Sequence, residues 1–328
     1  MKILVLNHDE VTKLLTMPEC IGVMEEALAA LAKGEVFMPL RMIVMPPGAA
    51  GDVALMPSYR GGSNAAYGLK AVCFFRGNPE RGLDSHQGGV LLFSAETGQL
   101  QALMDASAIT SIRTAAVSGV ATKLLANDGE CELALIGCGI QARAHLESMA
   151  CVRNISRVRV AGRSKENAQE FADEVRHKYS FPIDAVDSVE EAVRRAGLIV
   201  TATTAERPIL KREWIEPGTH LNVVGSSIPT TSEIDGATIA ESSLFVDRRE
   251  STMNEGGDYL AAVREGLIGP DHIKAEIGEL LIGAREGRTS RDEITLFKSL
   301  GLAVEDLASA QFLYWKAQQM GGFRWVDF

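Results

Sequence analysis

The sequence predicts an α/β protein made of a doubly wound parallel sheet domain and an α+β domain, and three observations carry that expectation. The first is Leu133-Ala-Leu-Ile-Gly137-Cys-Gly139-Ile140-Gln141-Ala142, an apolar run that breaks into Gly-x-Gly-x-x-Ala where a helical pattern begins. A strand, a tight turn and a helix N-terminus in that order hold a dinucleotide pyrophosphate: Gly137 permits the turn, Gly139 lets the backbone approach the phosphates, and Ala142 keeps the helix close to the sheet. The second is the alternation of strand and helix patterns from about residue 131 to 247, the spacing of a doubly wound sheet. The third is the different character of the first 110 residues, where short strands follow one another with few helices, an antiparallel-leaning arrangement. The expected division is residues 1–112 with 303–328 in one domain and residues 113–302 in the other.

Taken in order, the α+β part should contain strands at 2–6, 42–45, 53–56, 67–75, 89–94 and 100–105, with an early helix over 18–33. A long helix of small residues, 107–125, carries the chain onward. The parallel sheet should use strands at 132–136, 157–161, 183–186, 198–203, 220–224 and 244–247. Helices are expected from Gln141 to about Val152, over 165–178, where Phe171, Val175 and Tyr179 recur at spacings of four, and over 189–196. The last helix, 302–320, is apolar at 304, 307, 308, 312 and 315 and is expected to pack on the first domain.

A chain of 328 residues with 46% hydrophobic content has enough apolar side chains for about two cores. Its net charge of −10 argues against a nucleic-acid or anionic-membrane surface, so an anionic ligand must be met by local cations. No apolar run approaches a membrane span and Met1-Lys-Ile-Leu-Val-Leu-Asn is not a signal peptide, which makes a cytoplasmic protein the expectation. Five cysteines without a Cys-x-x-Cys pair predict neither a disulfide framework nor a zinc site, and no metal is expected. Cys138, inside the glycine turn, reads as a small filler.

Three cations stand in apolar or small-residue surroundings: Arg41 after Met38-Pro-Leu, Lys70 inside Tyr67-Gly-Leu-Lys-Ala-Val-Cys-Phe-Phe, and Arg113 in Thr110-Ser-Ile-Arg-Thr-Ala-Ala. A lysine in so apolar a strand loses hydration unless it meets an anion. Any one of them alone reads equally as a snorkelling or edge charge, whereas together, beside a dinucleotide site, they suggest a pocket for a carboxylate substrate. After the second strand of the nucleotide unit come Gly162, Arg163, Ser164 and Lys165. A ribose 2′-hydroxyl is usually held there by a carboxylate, so Arg163 and Ser164 favour NADP(H), with NAD(H) the alternative. The segment Gly82-Leu-Asp-Ser85-His86-Gln-Gly-Gly reads as a loop bent toward a site. His86 could donate a proton, touch the cofactor or serve structure alone.

In order along the chain stand Met56-Pro57, Tyr67-Gly-Leu-Lys, Gly82-Leu-Asp-Ser-His-Gln, Thr110-Ser-Ile-Arg-Thr-Ala-Ala, Gly137-Cys-Gly-Ile-Gln-Ala, Val200-Thr-Ala-Thr-Thr, Asn222-Val-Val-Gly-Ser-Ser and Phe297-Lys-Ser-Leu-Gly. That ordered set resembles the ornithine cyclodeaminase and mu-crystallin family over nearly the full length. The resemblance implies a Rossmann domain beside a substrate-binding and dimerisation domain, in a homodimer whose interface uses the first domain and the C-terminal helix. By position, Arg41, Lys70 and Arg113 would hold a substrate carboxylate. Thr114 and the turn with Gly137, Gly139, Ile140, Gln141 and Ala142 would face the pyrophosphate, with Ser85, His86, Thr203, Val224 and Ser299 lining the rest of the cofactor. Cyclodeaminases of the family carry a glutamate and an aspartate where this chain has Ala54 and Ser227. A carboxylate is needed there to manage protons during cyclodeamination, and serine is no base near neutral pH without an activating partner. The Ser226-Ser227 pair resembles the ketimine reductase branch instead. The implied activity is reduction of small cyclic α-imino acids, with Lys70 or a water held by Ser227 as the proton donor. An amino-acid dehydrogenase making alanine, a cyclodeaminase and a low-turnover NADP-dependent binding protein are the rivals.

Overall fold

The computed structural model describes residues 2–75, 77–78 and 81–328. They form two compact units, 1–114 with 301–328, and 115–300.

The first unit holds β1 (Lys2–Leu6), β2 (Val36–Phe37), β3 (Met42–Val44), β4 (Asp52–Arg60), β5 (Ala66–Phe74), β6 (His86–Ser94), β7 (Leu100–Asp105) and, near the end of the chain, β16 (Arg324–Asp327). They make one sheet in the order β16-β1-β7-β6-β5-β4-β2, with β3 also paired to β4. Every pairing is antiparallel except β1 with β7. One face carries alternate residues such as Met56, Val72, Val90 and Leu92, all buried, with the C-terminal helix packed across β4, β5 and β6. The helix Met17–Ala32 starts where Pro18 fills its first turn and Glu19 accepts hydrogen bonds from the Thr16 N–H and hydroxyl. The C-terminal helix Ala303–Met320 packs against that helix and against β5. Gly68 is the contact that permits this approach, since a Cβ there would lie 3.0 Å from Leu307 Cβ.

Four features of this unit lie outside the sequence expectations, the first being the two-residue strand β2, paired with Arg60 and Tyr59 of β4. A short helix, His8–Leu14, is set by the reciprocal Asn7/Glu10 capping box. Strand β16 pairs antiparallel with β1. Residues 86–88, expected in a loop, are the start of β6, because Phe74 to Val72 offer them a continuous ladder.

The second unit holds β8 (Glu130–Ile136), β9 (Asn154–Ala161), β10 (Ile183–Ala185), β11 (Leu198–Thr201), β12 (His220–Val223), β13 (Ser243–Val246), β14 (Ile273–Glu276) and β15 (Thr295–Lys298). All are parallel, in the order β10-β9-β8-β11-β12-β15-β13-β14. The first connection leaves β8 toward β9 and β10, and the chain then returns to the other side of β8 through β11. That reversal is the switch point at which doubly wound sheets bind ligands, beyond the C-terminal ends of the strands. Strands β11, β12, β13 and β15 are buried on both faces, which explains why apolar residues do not alternate with exposed polar ones along them. Helices Ile140–Val152 and Lys165–Val175 follow β8 and β9, the second capped by Ser164. That second helix stops at Val175, and Arg176–Lys178 tighten into a 3-10 turn. The expected strand 198–203 ends at Thr201, because Thr203 turns its N–H and hydroxyl to Glu233 instead of a neighbouring strand. Strands β14 and β15 were not expected. The polar residues of Ile273-Lys-Ala-Glu and the Thr295 and Lys298 that bound β15 obscure their pattern.

Candidate functional site

The three expected substrate cations all lie in the first unit, and the C-terminal segment ties them together. Lys70 sits mid-strand on the helix-facing side of β5, opposite Met56 and Val90, and is 3% exposed. Because Gly68 lets the helix at Leu307 lie against the strand, the preceding residue Asp306 arrives at Lys70, with Oδ2 2.8 Å from Nζ. Lys70 Nζ also donates to Thr110 Oγ1 at 3.4 Å. Arg113, two turns into the helix Ala106–Leu125, donates through Nε to Asp306 Oδ1 at 3.1 Å and through Nη1 to Glu305 Oε2 at 2.9 Å. Arg41 Nη2 donates to the Gly301 carbonyl at 3.1 Å. Gly301 has φ +77°, and a Cβ there would come within 2.3 Å of Arg113 Nη1, so only glycine leaves room for the guanidinium.

The desolvation that made Lys70 conspicuous is therefore met first by a carboxylate of the chain itself. Burial pulls the Lys70 pKa down, the Arg113 charge adds to this, and Asp306 opposes both, leaving it at about 8. Burial tends to raise the Asp306 pKa, but Arg113 and Lys70 outweigh it and hold the group below the ordinary carboxylate range. Glu305 and Asp306 were not singled out in the sequence; their signal is an acidic pair inside an otherwise apolar helical turn.

His86 opens β6 on the same face as Lys70, its ring 4.9 Å from that of Phe74 and its Nδ1 3.1 Å from Ser85 Oγ. The side chain keeps solvent contact, yet crowding by protein atoms and the charges of Lys70 and Arg113 lower its pKa to about 4. It is a neutral imidazole near pH 7. Thr114 Oγ1 donates back along its helix to the Thr110 carbonyl at 2.6 Å. Ala54 lies on β4 opposite Val72, two residues along from the Met56–Lys70 pair and on the same face.

In the second unit, Gly137 has φ +118°, and a Cβ would meet the Ala202 carbonyl oxygen at 2.4 Å. Gly139 is the N-cap of helix Ile140–Val152, with no side chain to cap it and nothing within 4 Å of where a Cβ would be. Arg143 N–H makes the first helical bond, to the Gly139 carbonyl. The N–H groups of Ile140, Gln141 and Ala142 thus have no acceptor among the described residues, and they stand at the positive end of a helix beside open space. This fits a pyrophosphate. Cys138 Sγ packs over Gly162, where a Cβ would lie 2.8 Å away, and burial raises its thiol pKa; it is a filler, not a nucleophile. Arg163 is exposed at the end of β9, and the Ser164 hydroxyl is engaged with Asn167 as the helix cap.

Behind the ends of β11, β12 and β15 lies a buried charged network. Glu233, fully buried, accepts four hydrogen bonds: from Thr203 N–H (2.6 Å) and Oγ1 (2.7 Å) on one oxygen, and from Thr201 Oγ1 (2.8 Å) and Gly225 N–H (2.7 Å) on the other. Asp258 accepts from Ser226 Oγ (2.5 Å), Ser232 Oγ (2.8 Å) and Glu233 N–H (2.7 Å), and pairs with Lys298 Nζ at 2.9 Å. Burial raises the Glu233 pKa against the pull of Lys298, whereas at Asp258 burial is outweighed by Lys298 and the serine hydroxyls. Val224 and Ser299 are backbone-bonded to Thr201 and Val223. Ser227 is half-buried, its N–H on the Gly225 carbonyl and its hydroxyl without a partner among the described residues. None of Glu233, Asp258 and Lys298 was marked in the sequence as a site residue. Lys298 carries the signal that exposed Lys70, a lysine in an apolar strand.

The model of the ornithine cyclodeaminase/mu-crystallin family matches residues 1–321. The ketimine reductase mu-crystallin of Mus musculus is 40% identical over 294 residues, 89% of this chain and 90% of the mouse protein. The solved Δ1-pyrroline-2-carboxylate reductase of Thermococcus litoralis, in complex with NADH and L-proline, is 38% identical with a TM-score of 0.95, covering 98% of this chain and 99% of that one. An archaeal alanine dehydrogenase dimer with bound NAD is 34% identical with a TM-score of 0.93, covering 100% of both chains. The chain belongs to the ornithine cyclodeaminase/mu-crystallin family.

Proposed function

We propose that this protein is an NAD(P)H-dependent reductase of small cyclic α-imino acids, converting Δ1-pyrroline-2-carboxylate or Δ1-piperideine-2-carboxylate to L-proline or L-pipecolate. The observation that carries the reading is the buried Lys70–Arg113 pair, set by Asp306 and Glu305, on a face where Ala54 stands in place of the cyclodeaminase carboxylate. Arg113 and Arg41 supply forked donors and Lys70 a point charge for one substrate carboxylate. When bound, the dinucleotide supplies the hydride that reduces the C=N bond. The chain holds the substrate in place and delivers a proton to the imine nitrogen, from Lys70 or from a water on the Ser227 hydroxyl. Ser227 itself has no carboxylate's basicity, which separates this chemistry from cyclodeamination. Ser85, His86, Thr114, Thr203, Val224 and Ser299 are assigned to the cofactor together with the 137–142 turn.

Arg163, a cation where a carboxylate would otherwise take the ribose, supports NADP(H) over NAD(H), although the two solved relatives carry NADH and NAD. The test is the initial rate of NADPH oxidation with Δ1-piperideine-2-carboxylate, run beside NADH. An ammonia-independent rate, faster with NADPH, is the expected result. The alanine dehydrogenase likeness supports a second reading, in which only pyruvate with ammonia gives a rate. Silence with both substrates would overturn both readings in favour of a low-turnover binding protein.

A homodimer is part of the proposal. The outward face of the first unit's sheet is apolar where a solvated face would be polar: Tyr67 is 49% exposed and Leu103 39%, with Leu69, Leu91 and Phe93 also on that side, and Phe37 and Met42 are exposed at 74% and 60% on the neighbouring strands. Sedimentation velocity is expected to give twice the chain mass; a monomer at micromolar concentration would sink this part. The proposed location is the cytoplasm, and no described helix is long and apolar enough to cross a membrane.

A further inference from the structure

We infer that Glu233 is a positioning residue for the nicotinamide half of the cofactor, holding the chain after β11 and the chain after β12 in one fixed arrangement. The inference rests on the dinucleotide reading proposed above and adds a residue that the reading does not contain.

Doubly wound sheets bind the two halves of a dinucleotide on opposite sides of the switch point. Here the glycine turn follows β8, the adenosine side follows β9 with Arg163, and the nicotinamide side follows β11, β12 and β15. The residues assigned to that side, Thr203, Val224 and Ser299, are short side chains or backbone on three separate loops. The strand ladder ends with the Val224 N–H on the Thr201 carbonyl and the Ser299 N–H on the Val223 carbonyl, and beyond it a side chain has to keep the loops in mutual register. Glu233 does so: one carboxylate oxygen takes both donors of Thr203, and the other takes Thr201 Oγ1 and the Gly225 N–H. The fit leaves no slack, because a Cβ at Gly225 would lie 2.1 Å from the Thr203 carbonyl oxygen and 2.6 Å from Glu233 Oε1.

The carboxylate is itself anchored. Asp258 accepts the Glu233 and Ile234 N–H groups and the Ser226 hydroxyl, and Lys298 neutralises it from the last residue of β15, next to Ser299. Each loop of the nicotinamide side is thus bonded to one buried group of charges. A carboxylate suits the task because it is acceptor-only and can meet four donors with two oxygens, whereas the isosteric amide must turn two N–H bonds toward groups that are also donors. Thr201 and Thr203 can rotate their hydroxyls, but the Thr203 and Gly225 backbone N–H groups cannot. The amide therefore displaces one loop or the other.

The test titrates full-length wild type and Glu233→Gln with NADH and separately with ADP-ribose, which lacks the nicotinamide, alongside thermal unfolding without ligand. The expected result is NADH binding weakened about tenfold and kcat reduced by about tenfold or more at saturating cofactor, with ADP-ribose affinity within about twofold of wild type. Equal weakening of NADH and ADP-ribose would mean that Glu233 merely supports the domain, and unaltered NADH affinity and kcat would mean that it supports nothing at the site; either overturns the inference. Should Glu233→Gln fail to fold, Thr201→Val removes one of the four donors without touching the carboxylate. It is expected to weaken NADH about threefold and spare ADP-ribose, and an unchanged NADH affinity there overturns the inference equally. Wild type that binds neither of these ligands nor NADPH would instead remove the dinucleotide reading itself, an outcome distinct from the others.

Discussion

Lys70→Met is expected to lower kcat/KM for the imino acid by roughly 30- to 1000-fold, the equivalent of about 2 to 4 kcal/mol of transition-state binding. Methionine fills much of the lysine's volume, so the strand stays packed while the cation disappears. Asp306 then keeps only Arg113 as its counter-charge, and the carboxylate of the substrate loses its point of attraction on β5. The wild-type pH profile provides the second readout. With its pKa drawn down to about 8 by burial and by Arg113, Lys70 loses its charge as pH rises through that value, and kcat/KM is expected to fall on that limb. The variant has no such group, so its profile should be flat there. Near-normal turnover in Lys70→Met, or an unaltered alkaline limb, would rule out the carboxylate clamp.

Asp306→Asn should have the second large effect. It keeps the shape of the side chain but removes the negative charge that two buried cations share. Removing one partner from a buried pair costs about 3 to 5 kcal/mol, because the remaining charges are left in a poorly solvated place. Chemical denaturation is the measurement. A destabilisation under about 1 kcal/mol would show that Lys70 and Arg113 find other compensation. The activity profile should change in a direction that simple loss of stability does not produce. Without Asp306 to favour its protonated form, Lys70 deprotonates more readily, so the alkaline limb of kcat/KM moves to lower pH. The same limb at the same pH would mean that Lys70 is not the group that titrates.

The legible parts of this protein were those carried by local patterns. The glycine turn could be read directly, because Gly137 and Gly139 answer to a positive φ and to a helix start that lacks a side-chain cap, both properties of a few adjacent residues. The helices expected over 18–33, 107–125 and 302–320 formed over 17–32, 106–125 and 303–320, the long middle one legible from its run of small residues and the last from its apolar spacing. Strands β14 and β15 were not, since their polar residues serve contacts with distant segments: Thr295 bonds His220 and Lys298 bonds Asp258. His86 was placed in a loop because its glycine neighbours argue against a strand, yet the ladder with β5 decides otherwise.

By itself the sequence determined a parallel-sheet unit with a glycine turn suited to a dinucleotide, a second α+β unit, and a lysine too costly to bury without an anion. Those are consequences of spacing and of residue chemistry, and both are complete in one dimension. Only the tertiary structure decided what answers Lys70 and Arg113 and what joins the loops after β11 and β12. Lys70 and Arg113 meet Asp306 and Glu305 across more than 190 positions of chain because Gly68 lets the last helix settle on β5. Glu233 reaches back to Thr201 and Thr203 from a segment whose sequence marks it only as an acidic residue in a loop. A buried charge announces its need in the sequence, but its partner is chosen by the close approach of distant backbone, and that is fixed only when the elements pack.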